Sequence, residues 1–158
     1  MQRNTLEKIV VSVGVGKLRQ MPAFEEKILP EIIKDLSALT GQYPAKRGAK
    51  KSIANFKTRQ GDVIGAVVTL RGKKMTNFLE RLVNVALPRV RDFKGIDPKH
   101  FDKKGNLSIG MKEHTVFPEI NPEKAQFPFG LQITLVVKAK NKEEAVKLIK
   151  DLAVPLKK

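Results

Sequence analysis

The 158 residues include no cysteine, two histidines and few aromatics, 6% of the total. Without cysteine there is no disulfide framework, no thiolate zinc site and no thiol nucleophile. His100 and His114 stand at no metal-ligand spacing from one another, and each reads as a surface or RNA-facing polar residue. The scarce aromatics form no RNP-type motif, which argues against base stacking in the RRM mode. No Gly-x-Ser-x-Gly elbow and no Walker loop is present. Gly14-Val15-Gly16 begins like a dinucleotide fingerprint, but Arg19 stands where the third glycine belongs. The carboxylate pairs Glu25-Glu26 and Glu143-Glu144 sit near helix starts, where the helix dipole favours them. No acid, base and nucleophile assemble, so the chain reads as a non-enzyme without a cofactor or metal. No apolar run approaches the ~18 residues of a membrane span. No signal-peptide pattern opens the chain, so the expected location is cytoplasmic.

What the chain does have is positive charge. Lys and Arg number 31 against 16 Asp and Glu, for a net charge of +15 and a pI of about 10.1. Such an imbalance strains a compact fold unless a polyanion compensates it. The charge is concentrated around Lys46, Arg47, Lys50, Lys51, Lys57 and Arg59, in a stretch without a single acid that closes at Gly61-Asp62. These cations repel one another, and phosphates with their releasable counterions are their natural partner. Phe56, between Asn55 and Lys57, either stacks on an unpaired base or folds back with Ile53 to staple the loop to the core. The residues alone admit an RNA binder or a general polyanion binder acting on DNA or an anionic membrane surface.

Periodicity supplies the scaffold. Leu6 to Val15 alternates with Ile9, Val11, Val13 and Val15 on one face, and so reads as a strand. Phe24 to Leu39 carries a helical apolar stripe, with Pro22 in the first turn and Gly41 as C-cap, while Pro30 must kink or divide the helix. Tyr43 to Arg47 reads as a short strand and Asp62 to Arg71 as a longer one. Lys73 to Leu87 reads as a second helix ended by Pro88. Residues 88–130 look loop-rich, with one strand over Leu107 to Lys112, and a long irregular segment of this kind is expected to be functional or ordered by a partner. Leu131 to Lys140 is a clear strand. Asn141 caps a final helix, with Glu144 at the capping-box position.

These elements predict an α+β fold over residues 1–158 as a single domain. Its sheet is largely antiparallel, with helices packed on one face. The opposite face carries Ser12, Thr69, Arg71, Gln132 and Thr134, to meet either water or the ribose and base edges of an RNA.

Several stretches together resemble a known family. They are Leu6 to Gly16, Thr40-Gly41-Gln42-Tyr43-Pro44, Lys50 to Gly61, Val68-Thr69-Leu70-Arg71-Gly72, Leu87 to Gly95, Phe101 to Asn106 and Phe117-Pro118-Glu119-Ile120. In order and over nearly the whole chain, they are similar to the fifth ribosomal protein of the large subunit, of the bacterial type that binds 5S rRNA in the central protuberance. The resemblance implies a structural ribosomal protein whose partners are 5S rRNA, large-subunit rRNA, the P-site tRNA and neighbouring ribosomal proteins. It implies 5S rRNA contacts at Ser12, Gln42 and Thr69, with Arg71 added by parity, and makes Lys46, Arg47, Arg89 and Arg91 candidates for rRNA. It implies that the loop bearing Lys51, Ser52, Asn55, Phe56, Lys57, Arg59 and Gln60 reaches the tRNA. The chain departs from the family pattern at Ser12, where Asn is usual, and at Pro30. The resemblance also implies an extra N-terminal helix, which in the family would already have ended where Met1-Gln2 begins this sequence.

Overall fold

The computed structural model describes residues 5–15, 18–50, 60–91, 93–125 and 127–157. Along the chain run β1 (Thr5–Gly14), α1 (Leu29–Thr40), β2 (Ala45–Gly48), β3 (Val63–Leu70), α2 (Gly72–Arg81), α3 (Leu87–Arg89), β4 (Leu107–Met111), β5 (Leu131–Lys138) and α4 (Lys142–Asp151). The five strands form one sheet in the order β2-β3-β1-β5-β4, and every pairing is antiparallel.

The register lines up the apolar positions. Ile9 lies opposite Leu70 and Leu135, with Leu107 next in the row; Val11 lies opposite Val68 and Ile133, with Ile109 next. All eight are buried, together with Ile32, Leu36 and Leu39 of α1, Phe78 of α2, and Ala145 and Ile149 of α4. Sheet residues two apart share a face, so one row after another meets the helices and the alternate residues are left on an open face. Each fully buried aliphatic side chain of this kind contributes about 1.5–3 kcal/mol.

Prolines shape both of the longer helices that contain one. A wide π turn, Phe24–Ile28, runs directly into α1, with Pro30 at the first positions of the α segment and Leu29 N–H bonded to Phe24 O. A second wide turn, Leu82–Ala86, precedes Pro88, with Leu87 N–H bonded to Leu82 O. Proline lacks an N–H, and its ring would collide with the carbonyl four residues back. Widening the turn ahead of it removes that collision. Pro30 therefore divides its helix, as its sequence position requires. Pro88 stands in the last turn of its helix, which runs one residue further, to Arg89, before Val90 becomes extended.

The segment 93–130 is tied to the chain's own core. Ile96, Phe101, Phe117, Ile120 and Phe129 are buried. Phe117 stacks on Phe78 of α2 at 5.6 Å, and Arg81 pairs with Glu119. These contacts give the described part of the segment packing of its own within the fold.

His114 corrects an expectation, since it is fully buried rather than facing solvent or RNA. Its Nε2 lies 2.9 Å from Asp35 Oδ2 of α1, and its Nδ1 accepts from the Phe129 N–H at 3.4 Å. The two contacts together select the tautomer with the proton on Nε2. Periodicity could not reveal this, because the partners are 79 and 15 residues away in sequence.

Candidate nucleic-acid interface

The open face of the sheet is built from three strands in the middle and one at each edge. In one row Val10 lies between Thr69 and Thr134, with Ser108 beyond; in the next Ser12 lies between Val67 and Gln132, with Gly110 beyond. Gln132 is exposed, and Ser12, Thr69, Thr134 and Ser108 are half-buried. Half-buried Val10, Val67 and Val136 add an apolar strip, so the face presents hydroxyls and an amide around aliphatic patches. Ser108 and Gly110 join it because β4 pairs with β5, which parity along one strand could not establish.

Gln42 reaches this face from the end of α1. Gly41 takes the left-handed conformation, φ 76°, that closes the helix, and its N–H bonds to Ser37 O. Gln42 N–H then donates to Thr40 Oγ1 at 3.3 Å, and its Nε2 donates to Thr69 O at 3.1 Å. Gln42 and Thr69 are thus neighbours, although 27 residues apart. Arg71 lies one residue beyond β3, still extended at φ −136° and ψ 160°, and is exposed.

Lys46 and Arg47 part company. Arg47 pairs with Gly65 and so sits on the open face; Lys46 pairs with Ala66, whose side chain points to the helices. Lys46 lines a cleft against α1 with Glu25, Lys34 and Tyr43. Both are exposed, on opposite faces of the edge strand.

At the β2 end the open face dips into a concavity of about 860 Å³ bordered by Arg47, Ile64, Lys112, Ser12 and Gln132 and floored by glycines. Among the described residues that line it there is neither Asp nor Glu. A second concavity runs along the edge of β4 and shares Gly110 with the first. Arg91, Lys94, His100 and Lys157 line it, with Asp97 the one acid among the described residues there. The backbone N–H of Lys99 holds the Asp97 carboxyl below its ordinary range, so an anion there meets Asp97 charged at neutral pH. Lys94 was legible beside Arg89 and Arg91 as a second cationic cluster, whereas sequence reading missed Lys112 and Lys157, since isolated lysines on separate segments join it only in space. Arg89 is exposed on the last helical turn and lines neither concavity.

The cationic arm is anchored at its base. β2 and β3 form a hairpin, closed where Ala49 N–H bonds to Asp62 O at 2.7 Å and Gly61 N–H bonds to Ala49 O at 2.9 Å. Arg19 pairs with Asp62 and holds the turn to the N-terminal segment. Gln60 is exposed at this base. Lys51, Ser52, Asn55, Phe56, Lys57 and Arg59 lie outside the described residues. Among the described residues there is no group of three potential metal-ligating side chains, and no helix is long and apolar enough to cross a membrane.

Comparison with known proteins gives two matching family descriptions. That of "Ribosomal protein L5" covers residues 1–59, and that of the C-terminus of the same ribosomal family covers residues 63–156. The two segments share one sheet, the first supplying β1 and β2 and the second β3, β4 and β5. Among curated relatives, the large ribosomal subunit protein uL5 of Halothermothrix orenii is 50% identical over 150 residues, 95% of this chain and 82% of the relative. That of Anaeromyxobacter sp. (strain Fw109-5) is 50% identical over 157 residues, 99% of this chain and 85% of the relative. That of Geobacter sulfurreducens is 51% identical over 157 residues, 99% of this chain and 86% of the relative.

Proposed function

Because this chain belongs to the ribosomal protein L5 family, we propose that it grips 5S rRNA with the open face of its sheet. Membership makes it a structural constituent of the large subunit of the cytoplasmic ribosome, and not an enzyme. In this reading residues 1–158 act as one unit in the central protuberance, beside neighbouring ribosomal proteins. Ser12, Gln42, Thr69 and Arg71 serve 5S rRNA. Arg47, Arg89 and Arg91 serve rRNA phosphates, and Lys46 serves large-subunit rRNA from the helix side. The arm that leaves the β2–β3 hairpin, with Lys51, Ser52, Asn55, Phe56, Lys57, Arg59 and Gln60, reaches the P-site tRNA.

The observation that carries the reading is the concavity beside Ser12 and Gln132, whose described lining holds Arg47 and Lys112 and no acid, on a chain of net charge +15. Cations there neutralise phosphates and release counterions, which supplies affinity without sequence preference. Hydroxyls and amides on the sheet rows can read ribose and base edges, which supplies the preference.

A gel-shift titration tests it. The protein is expected to prefer 5S rRNA over an unrelated folded RNA of equal length across a salt series. Thr69→Leu is expected to reduce that preference while leaving the salt dependence as it was. Equal affinity for both RNAs, with ready displacement by heparin, would instead identify a general polyanion binder.

A further inference from the structure

Four glycines, Gly14, Gly65, Gly110 and Gly130, floor the concavity on the open face. None has a positive φ, so none is needed for left-handed backbone. Two have a reason within the fold. A Cβ on Gly65 would come within 2.7 Å of the Val13 carbonyl oxygen, and one on Gly130 within 3.0 Å of the Met111 carbonyl oxygen.

Gly14 and Gly110 have no such reason. A Cβ on either would meet nothing within 4 Å, and both residues are exposed. Each lies in a strand, Gly14 opposite Gly65 and Gly110 opposite Gln132. Glycine weakens a strand, because it loses more conformational freedom on folding and packs no side chain. A strand glycine often marks a bulge, a tight bend or a close approach of another molecule to the backbone, and the pairing of β1 with β3 and of β4 with β5 shows no register shift at Gly14 or Gly110. Between the two stand Ser12 and Gln132, and the rim carries the exposed cations Arg47 and Lys112.

We propose that the sugar–phosphate backbone of the bound RNA lies directly on the peptide planes of Gly14 and Gly110, its phosphates between Arg47 and Lys112 and its ribose hydroxyls toward Ser12 and Gln132. The proposal rests on the RNA-binding reading of this face. A rim whose described residues include cations and no acid suits a polyanion rather than a peptide of mixed charge.

The test uses the full chain with Gly14→Ala and Gly110→Ala made separately, measuring thermal unfolding and affinity for 5S rRNA. Removing a strand glycine is expected to leave the melting temperature unchanged or raise it by up to about 3 °C. Affinity for 5S rRNA is expected to fall at least about tenfold, because the added methyl holds the RNA off the backbone and breaks several contacts at once. Gly65→Ala is the contrast, with a lowered melting temperature from the clash with Val13. Wild-type affinity in both stable variants overturns the proposal, and so does a lowered melting temperature in both. Unchanged RNA affinity with impaired incorporation into large subunits would also overturn it, and would assign the glycines to a protein neighbour. Failure of the wild-type protein to prefer 5S rRNA is seen before any variant is made, and sinks the parent reading instead.

Discussion

Replacing His114 with alanine is expected to be among the most damaging single changes outside the sheet. The ring is fully buried, stacked on Phe129 with centroids 3.8 Å apart and planes 12° from parallel, and it bridges Asp35 of α1 to the Phe129 backbone. Removing a buried aromatic ring costs about 3–5 kcal/mol through lost transfer energy and the cavity left behind, and imidazole belongs at the low end, about 3. The Phe129 N–H then loses its acceptor in a buried site, which adds about 1 kcal/mol. The Asp35 side chain is 16% exposed, so water can replace its lost donor and little further cost is expected. The sum, about 4 kcal/mol, is a large part of a total stability of about 5–15 kcal/mol. In urea unfolding it lowers the midpoint by about 2 M at an m-value of about 2 kcal/mol/M, with the slope unchanged. His114→Phe keeps the stack and the volume while deleting both hydrogen bonds, and is expected to cost about 2 kcal/mol. A cost for the alanine variant below about 1.5 kcal/mol, or a phenylalanine variant as damaging as alanine, would refute the argument that stack and bridge both hold residues 113–130 to α1.

Three further outcomes are expected. Asn141→Ala removes the side-chain oxygen that accepts the Glu144 N–H at 2.9 Å and should cost about 1 kcal/mol in chemical unfolding, the usual worth of an N-cap. Asp102 carries a pH dependence: burial raises its pKa, but hydrogen bonds from the Asn106 backbone and side chain, Lys104 N–H and Gly105 N–H outweigh this and hold it below the ordinary value. A carboxyl depressed in the folded state stabilises above its unfolded pKa, and that stability is lost as pH falls through the folded one. Asp102→Asn should therefore lower stability at neutral pH and flatten the acid limb of a stability–pH profile below about pH 4, so that the two proteins converge in acid. Lys112→Ala should reduce the slope of log affinity against log salt by about one, whereas Lys147→Ala, on the outer side of α4, should not, as read by titrations at several salt concentrations.

Much of the fold was legible because two periodicities are local. A strand alternates every two residues and a helix repeats about every 3.6, so Ile9, Val11 and Val13 and the stripe of α1 reveal their faces without knowledge of partners. The turns of Gly41 and Asn141 were legible for the same reason, since a cap is a bond between residues a few positions apart. Pro30 announced a break, but the form of the break, a wide turn continuous with the helix, depended on whether neighbours could fill the wider groove. Pro88 marked the end of its helix to within one residue, but not the π turn before it, which vacates the hydrogen bond and the carbonyl position that a proline forbids.

The candidate interface was legible only in part. Ser12 and Thr69 followed from parity, while Lys46 and Arg47, adjacent in sequence and alike in charge, were separated by that same parity to opposite sides of the sheet. Chain-distant groups came together only through strand pairing. Gln42 met Thr69, Gly110 met Gln132, and Arg91, Lys94 and Lys157 met along one edge. Composition and spacing by themselves determined that this chain is basic, α+β and without assembled catalytic chemistry, since charge and local periodicity are properties of the chain alone. Where the cations converge, which glycines lie bare and that His114 is a buried bridge were decided by the register of five strands, because register is the physical step that makes neighbours of residues far apart in sequence.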